Sequence, residues 1–399
     1  MSAQPQRPAH DLTSADIAAH AQSAYGEALR ELGRFNLAIF GKTGVGKSTL
    51  INAIFGSEVA ATGTGRPVTL KTAYYEHPSG YFGMYDSEGI EVGQEGDQIL
   101  AKFRSLIEER KRGPVSKQIH VIWYCVRAAD LRFEDAQAEF VRQLAADGVP
   151  VLFVLTQVQT RDGEIHPEVR KLAESVMERD LPLAGGNRVF FTMAQPDDFG
   201  GFPAHGLRDL LDATFRVAPD AVEAALIAAQ KIDLERKVRK ARTYIKAAAA
   251  TAAGIGATPI PIADAALLVP VQVGLMAKIA AIFGLNITTG TFASVAGAAF
   301  TAGGLTQAGR YLATTMLKFV PGAGTIVGGT IRAGVASSLT FAVGEAWIVV
   351  CSQLHALGPR GASALESKAI REMFVAALRE RSGEATKRLP LGRGRRAER

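Results

Sequence analysis

The run Gly41-Lys42-Thr43-Gly44-Val45-Gly46-Lys47-Ser48 fits the pattern G-x-x-x-x-G-K-[ST] with no mismatch. Its glycines let backbone N–H groups wrap an anion. Lys47 can reach the outer phosphates of a nucleotide, and the Ser48 hydroxyl can ligate a hard divalent cation. Gly41, Lys42, Thr43, Gly44, Val45, Gly46, Lys47 and Ser48, with Thr49 after them, are therefore candidate nucleotide-binding residues. A second group follows. Asp86-Ser87-Glu88-Gly89 matches D-x-x-G. Its Asp86 can hold Mg²⁺ through water, and the Gly89 N–H can meet a γ-phosphate. Thr69, in Gly65-Arg66-Pro67-Val68-Thr69, is the candidate for completing the Mg²⁺ shell, with Thr62 and Thr64 as competitors in the same threonine-rich loop. The candidate metal ligands are thus Ser48, Thr69 and Asp86. Lys47, Thr69 and Gly89 are the candidate catalytic residues.

These residues need elements to hold them. The apolar run Phe35-Asn36-Leu37-Ala38-Ile39-Phe40 reads as a buried strand, and Thr49-Leu50-Ile51-Asn52-Ala53-Ile54-Phe55 as a helix whose N-terminus adds a positive dipole end. Thr72–Tyr75 and Tyr81–Tyr85 read as paired strands about the turn at Pro78-Ser79-Gly80. Residues 119–126, 151–155 and 188–191 are further strands, and residues 134–146 an amphipathic helix. Strands alternating with helices predict an α/β fold with a mostly parallel sheet covered on both faces, a three-layer sandwich. The expected organisation is an N-terminal segment and helix over residues 1–33, the nucleotide domain over 34–217 and a connecting helix over 218–246. An apolar all-α helical-hairpin domain over 247–380 and a basic disordered tail over 381–399 complete it.

The chain has 399 residues, 21% charged and 47% hydrophobic, with two cysteines and a net charge of +6. Two cysteines in this length argue against a disulfide framework and fit a reducing compartment. Cys125 and Cys351 lie in apolar runs and read as packing residues. The last nineteen residues carry seven basic and two acidic side chains, a net of +5, so the excess charge sits in the tail. The first residues are polar and carry no apolar core of a signal peptide. The seven histidines have no metal-ligand spacing, and no nucleic-acid recognition motif is present.

The stretch from Phe35 to Ala194 resembles an Era-like GTPase of the TrmE–Era–EngA–septin group, on the run GKTGVGKSTLINAIFG and the D-x-x-G that follows. The strand Trp123-Tyr124-Cys125 and Gly65-Arg66-Pro67-Val68-Thr69 are similar to a subgroup with an apolar C-terminal domain of uncharacterised function. Thr258-Pro259-Ile260-Pro261-Ile262-Ala263-Asp264-Ala265 resembles that domain. The resemblance covers most of the chain. It implies a P-loop GTPase binding GTP and GDP with Mg²⁺. It also implies a base-reading segment at Thr156-Gln157-Val158-Gln159 and a base loop at Thr192-Met193-Ala194. The departures bear on chemistry. The family reads guanine with [NT]-K-x-D; Gln159 is neutral where that pattern has an aspartate, so charge assistance is lost. Gln157 has a shorter stem than lysine for stacking on the base. Ile90 stands where Ras-like relatives place a water-orienting glutamine, which predicts slow hydrolysis stimulated by a G-domain homodimer or by membrane.

Residues 247–263 and 279–309 contain no charged side chain. The second run exceeds the ~20 apolar residues a bilayer span needs, though Asn286 and the four threonines from Thr288 to Thr301 temper it. One reading makes these helical hairpins that insert in or lie on lipid, with Pro259-Ile260-Pro261 and Val320-Pro321-Gly322-Ala323-Gly324 as hairpin tips and Gly324-x-x-x-Gly328 as a close-packing site. The other makes them a soluble bundle, because Asp264, Lys278, Arg310, Lys318, Arg332 and Glu345 are costly in lipid. The first predicts a protein at the cytoplasmic face of, or inserted in, the inner membrane. Three functions fit: a slow GTPase switch coupled to a membrane-associated domain, a scaffold with a degenerate G domain, or a dynamin-like remodelling machine.

Overall fold

The structure is a computed structural model that describes residues 13–56, 66–69, 72–77, 80–87, 94–257, 264–285, 288–301 and 325–387. Thr62, Thr64, Glu88, Gly89, Ile90, Pro259-Ile260-Pro261 and Val320-Pro321-Gly322-Ala323-Gly324 lie outside the described residues. The chain divides into two compact units, one of residues 30–234 and one of residues 1–29 with 235–399.

The first unit is built on a seven-stranded sheet in the order β2-β3-β4-β1-β5-β6-β9. Its strands are β1 (Phe35–Phe40), β2 (Arg66–Thr69), β3 (Thr72–Glu76), β4 (Phe82–Ser87), β5 (Val121–Arg127), β6 (Val151–Thr156) and β9 (Val189–Phe191). A separate hairpin pairs β7 (Thr160–Arg161) with β8 (Glu164–Ile165). Strands β4, β1, β5, β6 and β9 run parallel; β3 is antiparallel to both β4 and β2. Every residue of β1 and β6 is buried, as the continuous apolar runs require of central parallel strands covered on both faces. The covering helices are α2 (Lys47–Phe55), α3 (Gln94–Lys111), α4 (Asp135–Ala146), α5 (Pro167–Met177), α6 (Leu207–Val217) and α7 (Glu223–Ala229).

Chain order reverses at β1: the chain passes from β1 to β2, β3 and β4 on one side, then crosses to β5 on the other. The carboxyl end of β1 is thus a topological switch point, where open parallel sheets form their ligand crevice.

The single connecting helix expected over residues 218–246 is instead two helices. Helix α7 ends at Ala229 and α8 (Leu234–Ala257) begins five residues later. The fully buried Gln230 explains the break. Its Oε1 accepts from the Asp233 N–H at 2.7 Å and its Nε2 donates to the Asp233 carbonyl at 2.9 Å, so the side chain supplies the bonds a continuing helix would have made.

The second unit is helical. It comprises α8, α9 (Asp264–Phe283), α10 (Thr289–Thr301), α11 (Thr325–Ala364) and α12 (Ser367–Lys387), joined by most of α1 (Ser14–Glu31). The Thr13 hydroxyl accepts from Asp16 N–H and the Asp16 carboxylate from Thr13 N–H, a reciprocal cap that starts α1. Tyr25 of α1 stacks on Phe292 and donates to the Leu285 carbonyl at 3.1 Å, so α1 groups with the C-terminal helices rather than standing apart. Helix α12 runs to Lys387, into the segment expected to be a disordered tail from 381; Pro390 comes only afterwards. Of the described helices, Ala333–Gly358 within α11 is long and apolar enough to cross a membrane, with mean hydropathy 1.6 over its most apolar 18 residues, though 56% of those are buried inside the protein. The core helix of a soluble protein passes the same test.

Candidate functional site

The carboxyl ends of the parallel strands bring most of the candidate residues to one edge. Register pairs Ile39 with Asp86, Phe40 with Tyr124, Arg127 with Thr156, and Leu155 with Phe191. The phosphate loop, Asp86, the β5 end, Thr156–Gln159 and Thr192–Ala194 therefore stand side by side.

The loop itself has the backbone its glycines permit. Gly41, Gly44 and Gly46 have φ of 144°, 78° and 93°, which L side chains adopt only under strain. At Gly41 space is also decisive, since a Cβ would lie 2.3 Å from the Cys125 carbonyl oxygen. Lys47, the first residue of α2, is buried, and its ammonium donates to the carbonyls of Gly41 (2.9 Å) and Lys42 (3.1 Å). The cation is thus held across the mouth of the loop, with neutral acceptors that an incoming phosphate would outcompete. Ser48 follows on the same helical turn and is exposed; Asp86 ends the strand beside β1. A hydroxyl and a carboxylate on adjoining segments are hard oxygen donors, a set that fits Mg²⁺. Burial raises the Cys125 thiol to about 12, with Asp86 adding to the rise and Lys47 opposing it. It stays protonated and serves as packing.

The Thr156 hydroxyl is buried between the Val45 carbonyl (2.5 Å) and the Val126 carbonyl (3.2 Å). It ties the phosphate loop to β6 from behind. Gln157 adopts a left-handed φ of 55°, which turns its side chain over the loop, and its Nε2 donates to the Gly44 carbonyl at 3.2 Å. Gln159 is exposed. The two segments expected to read the base are laced together: Val158 N–H donates to the Thr192 carbonyl (3.0 Å), and the His205 ring Nε2 meets the Val158 carbonyl (2.8 Å). The Thr192 hydroxyl is itself fully buried and donates to the Leu155 carbonyl at 3.1 Å. Met193 and Ala194 are half-buried, and Met193 pairs with His205.

Thr69 is not brought to the loop. It ends β2, pairs with Thr72, which pairs in turn with Ser87, so its backbone reaches the same edge two strands from β4, roughly 10 Å away. Sequence reasoning missed His205 and the pairing that fixes the base loop; Gly206, with φ 74° and a Cβ position 1.8 Å from the Phe191 carbonyl, was the available signal. It also missed a cleft of about 210 Å³ beside the phosphate loop, lined by Lys42, Val45, Arg127, Asp130, Arg132 and Gln137. There Arg127 is committed to Asp130 at 2.6 Å, whereas Arg132 is highly exposed.

Residues 36–157 match the family described as "50S ribosome-binding GTPase". The chain carries a GTP-binding P-loop GTPase domain. Residues 221–376 match a second family, described as "Domain of unknown function (DUF697)". No curated protein matches the chain at a significant level. Among solved structures, the GTPase domain aligns with a probable GTP-binding protein engB at 18% identity and TM-score 0.33, covering 46% of this chain and 97% of that one. Toc33 from Arabidopsis thaliana aligns at 15% identity and TM-score 0.32, covering 53% of this chain and 92% of that one. Era from Aquifex aeolicus, bound to GDP and aluminium fluoride, aligns at 20% identity and TM-score 0.30, covering 47% and 58%. The GTPase domain is followed by the helical C-terminal region, and α7, which lies just inside the second match, packs on the sheet of the first unit.

Proposed function

We propose that this protein is a slow, Mg²⁺-dependent GTPase that acts as a nucleotide switch coupled to a membrane-associated helical domain. The observation that carries the reading is the formed phosphate loop, with buried Lys47 across its mouth and Thr156 and Gln157 bracing it. Lys47 and the loop N–H groups bind and orient the β- and γ-phosphates. Ser48 and Asp86 would hold Mg²⁺, with Thr69 as a further candidate ligand, and the ion would supply neutralisation of phosphate charge. Gln157 and Gln159 face the base side with neutral amides, and the Thr192–Ala194 loop completes that end. This favours GTP with weakened selectivity over other purines.

Ile90 supplies no hydrogen bond to an attacking water, so turnover in the isolated chain is slow and rises on self-association of the G domain or on binding lipid. The outward route starts at α2. The Ile54 carbonyl at its end accepts from Lys231 N–H at 2.8 Å, three residues before α8 begins. A shift of α2 with nucleotide state would reach the root of α8 through that bond. The protein would act at the cytoplasmic face of the inner membrane. Titration of the full chain with GTP, ATP and XTP, with Lys47→Ala as control, tests binding. Single-turnover hydrolysis with and without vesicles tests the switch. A scaffold reading gains if GTP binds but turnover is absent under every condition.

A further inference from the structure

The hairpin that carries Met193 and His205 ends in a closed turn. Asp197 N–H donates to the Phe202 carbonyl at 2.8 Å, and Phe202 N–H to the Asp197 carbonyl at 3.0 Å. The Asp197 carboxylate accepts from the N–H groups of Phe199 (3.1 Å) and Gly200 (3.0 Å), and the Phe202 ring lies over Gly200. These bonds hold Phe199 wholly in solvent. It is 104% exposed, against 53% for Leu357, the next large apolar side chain among the described residues. An aromatic ring pinned outward by a built turn has the form of an interface anchor. Asp198 beside it is exposed, so the tip is aromatic and acidic together.

The cleft beside the phosphate loop matches that tip in size and charge. It holds about 210 Å³, more than the ~150 Å³ cavity that takes up benzene. Buried Val45 and Val126 lie beneath it, and Lys42, Arg127 and Arg132 stand on its walls. Three cations against Asp130 and Glu134 leave it net positive. Arg127 is committed to Asp130, whereas Arg132 meets Glu134 only at 3.9 Å. The Arg132 guanidinium can therefore turn onto an aromatic face. Leu131, between Asp130 and Arg132, is held at a left-handed φ of 47° and is 51% exposed, a further apolar contact next to the cleft.

Fully exposed in its own chain, Phe199 does not fill its own cleft. Both features stand at the carboxyl edge of one sheet. The cleft follows β5 and the turn follows β9, two strands away, roughly 10 Å at strand spacing. A two-fold axis across that edge would let each copy fill the other's cleft, a closed pairing rather than an open filament. We infer that Phe199 of a second copy of this chain seats in the cleft beside the phosphate loop, its ring on Arg132 and its acidic tip facing Lys42. The contact rests on the G-domain self-association proposed above and names the residues that make it. Because Lys42 and Val45 belong to the phosphate loop, the seated ring bears directly on the nucleotide site.

The test is sedimentation of the full chain with Mg²⁺, without nucleotide, with GDP and with a non-hydrolysable GTP analogue, over a range of protein and salt concentrations. Phe199→Ala and Arg132→Glu should each raise the dimer dissociation constant at least tenfold. Added salt should weaken the unmodified dimer. Both side chains are exposed, so circular dichroism and nucleotide affinity in dilute protein should stay unchanged. Benzoylphenylalanine in place of Phe199, in mixtures of unlabelled and isotope-labelled copies, should cross-link on illumination to residues 42–45 or 126–137 of the other copy. A dimer unchanged by Phe199→Ala, or cross-links elsewhere on the second copy, would overturn this contact and leave G-domain self-association standing. A monomer under every condition would overturn both. Loss of vesicle flotation in Phe199→Ala with self-association unchanged would show that the ring seats in lipid, and would overturn the assignment to a second copy.

Discussion

At the scale of residues, the phosphate end and the base end of the site are built differently. Lys47 holds its charge against two backbone carbonyls, ready to exchange them for phosphate oxygens. Charge-assisted hydrogen bonds are worth about 1.5–3 kcal/mol each, so Lys47→Ala should weaken triphosphate binding at least tenfold in calorimetric titration while the fold survives. Thr156→Val keeps the shape but leaves the Val45 carbonyl without its donor. It should cost roughly 1–3 kcal/mol in denaturant unfolding and weaken nucleotide binding, because the loop loses its rear brace. At the base end, Gln159→Asp restores a charged acceptor and should raise the preference for GTP over ATP by roughly tenfold or more in competition binding. The phosphate loop was legible in the sequence because its eight residues are contiguous and each has one physical role. The Thr156 brace was not, because its partner Val45 lies 111 positions away and nothing local marks a hydroxyl aimed at a distant carbonyl.

At the scale of elements, the buried strands declared themselves as apolar runs, and a mostly parallel sheet followed from their alternation with helices; the order of the strands came only with the structure. The break between α7 and α8 was not legible either, because helical periodicity continues through it. What ends α7 is the Gln230 side chain bonding to the backbone of Asp233, and glutamine is otherwise an ordinary helix former. Gln230→Ala should therefore loosen the junction, lowering stability by roughly 1–3 kcal/mol and raising amide exchange in the first turns of α8. The same region carries a pH dependence. Burial, with the Lys231 charge adding to it, lowers His77 from 6.5 to about 4, and burial lowers His120, whose Nδ1 accepts from the Asn36 N–H. Because the folded values lie below the unfolded ones, the unfolded chain binds the extra protons. Stability is then full above pH 6.5 and falls as pH drops towards 4, by roughly 2 kcal/mol at pH 5 from His77. Thermal melts at pH 7 and pH 5 should show the loss. His77→Phe, which can keep the stacking on Tyr81, should reduce the difference between the two.

At the scale of the whole molecule, two compact units meet in sequence at Leu234 and Glu235, one carrying the phosphate loop and one built of helices. The sequence showed the asymmetry of charge between the halves, yet left membrane hairpins and a soluble bundle both open, since composition does not say which faces helices turn to one another. In the structure α11 turns Gly344 to Ile245 of α8 and Leu275 of α9, where a Cβ would lie 2.5 and 3.2 Å from them. If the switch reading holds, hydrolysis measured per active site should rise with protein concentration or with anionic vesicles, and Lys47→Ala should abolish the response. A guanine-nucleotide site with an intact phosphate end is put to the test by titrating the 399-residue chain with GTP, ATP and XTP in the presence of Mg²⁺. All three should bind through the shared triphosphate, with GTP tightest and every affinity weakened at least tenfold in Lys47→Ala. Tighter binding of ATP than GTP, or binding unchanged in Lys47→Ala, would contradict it.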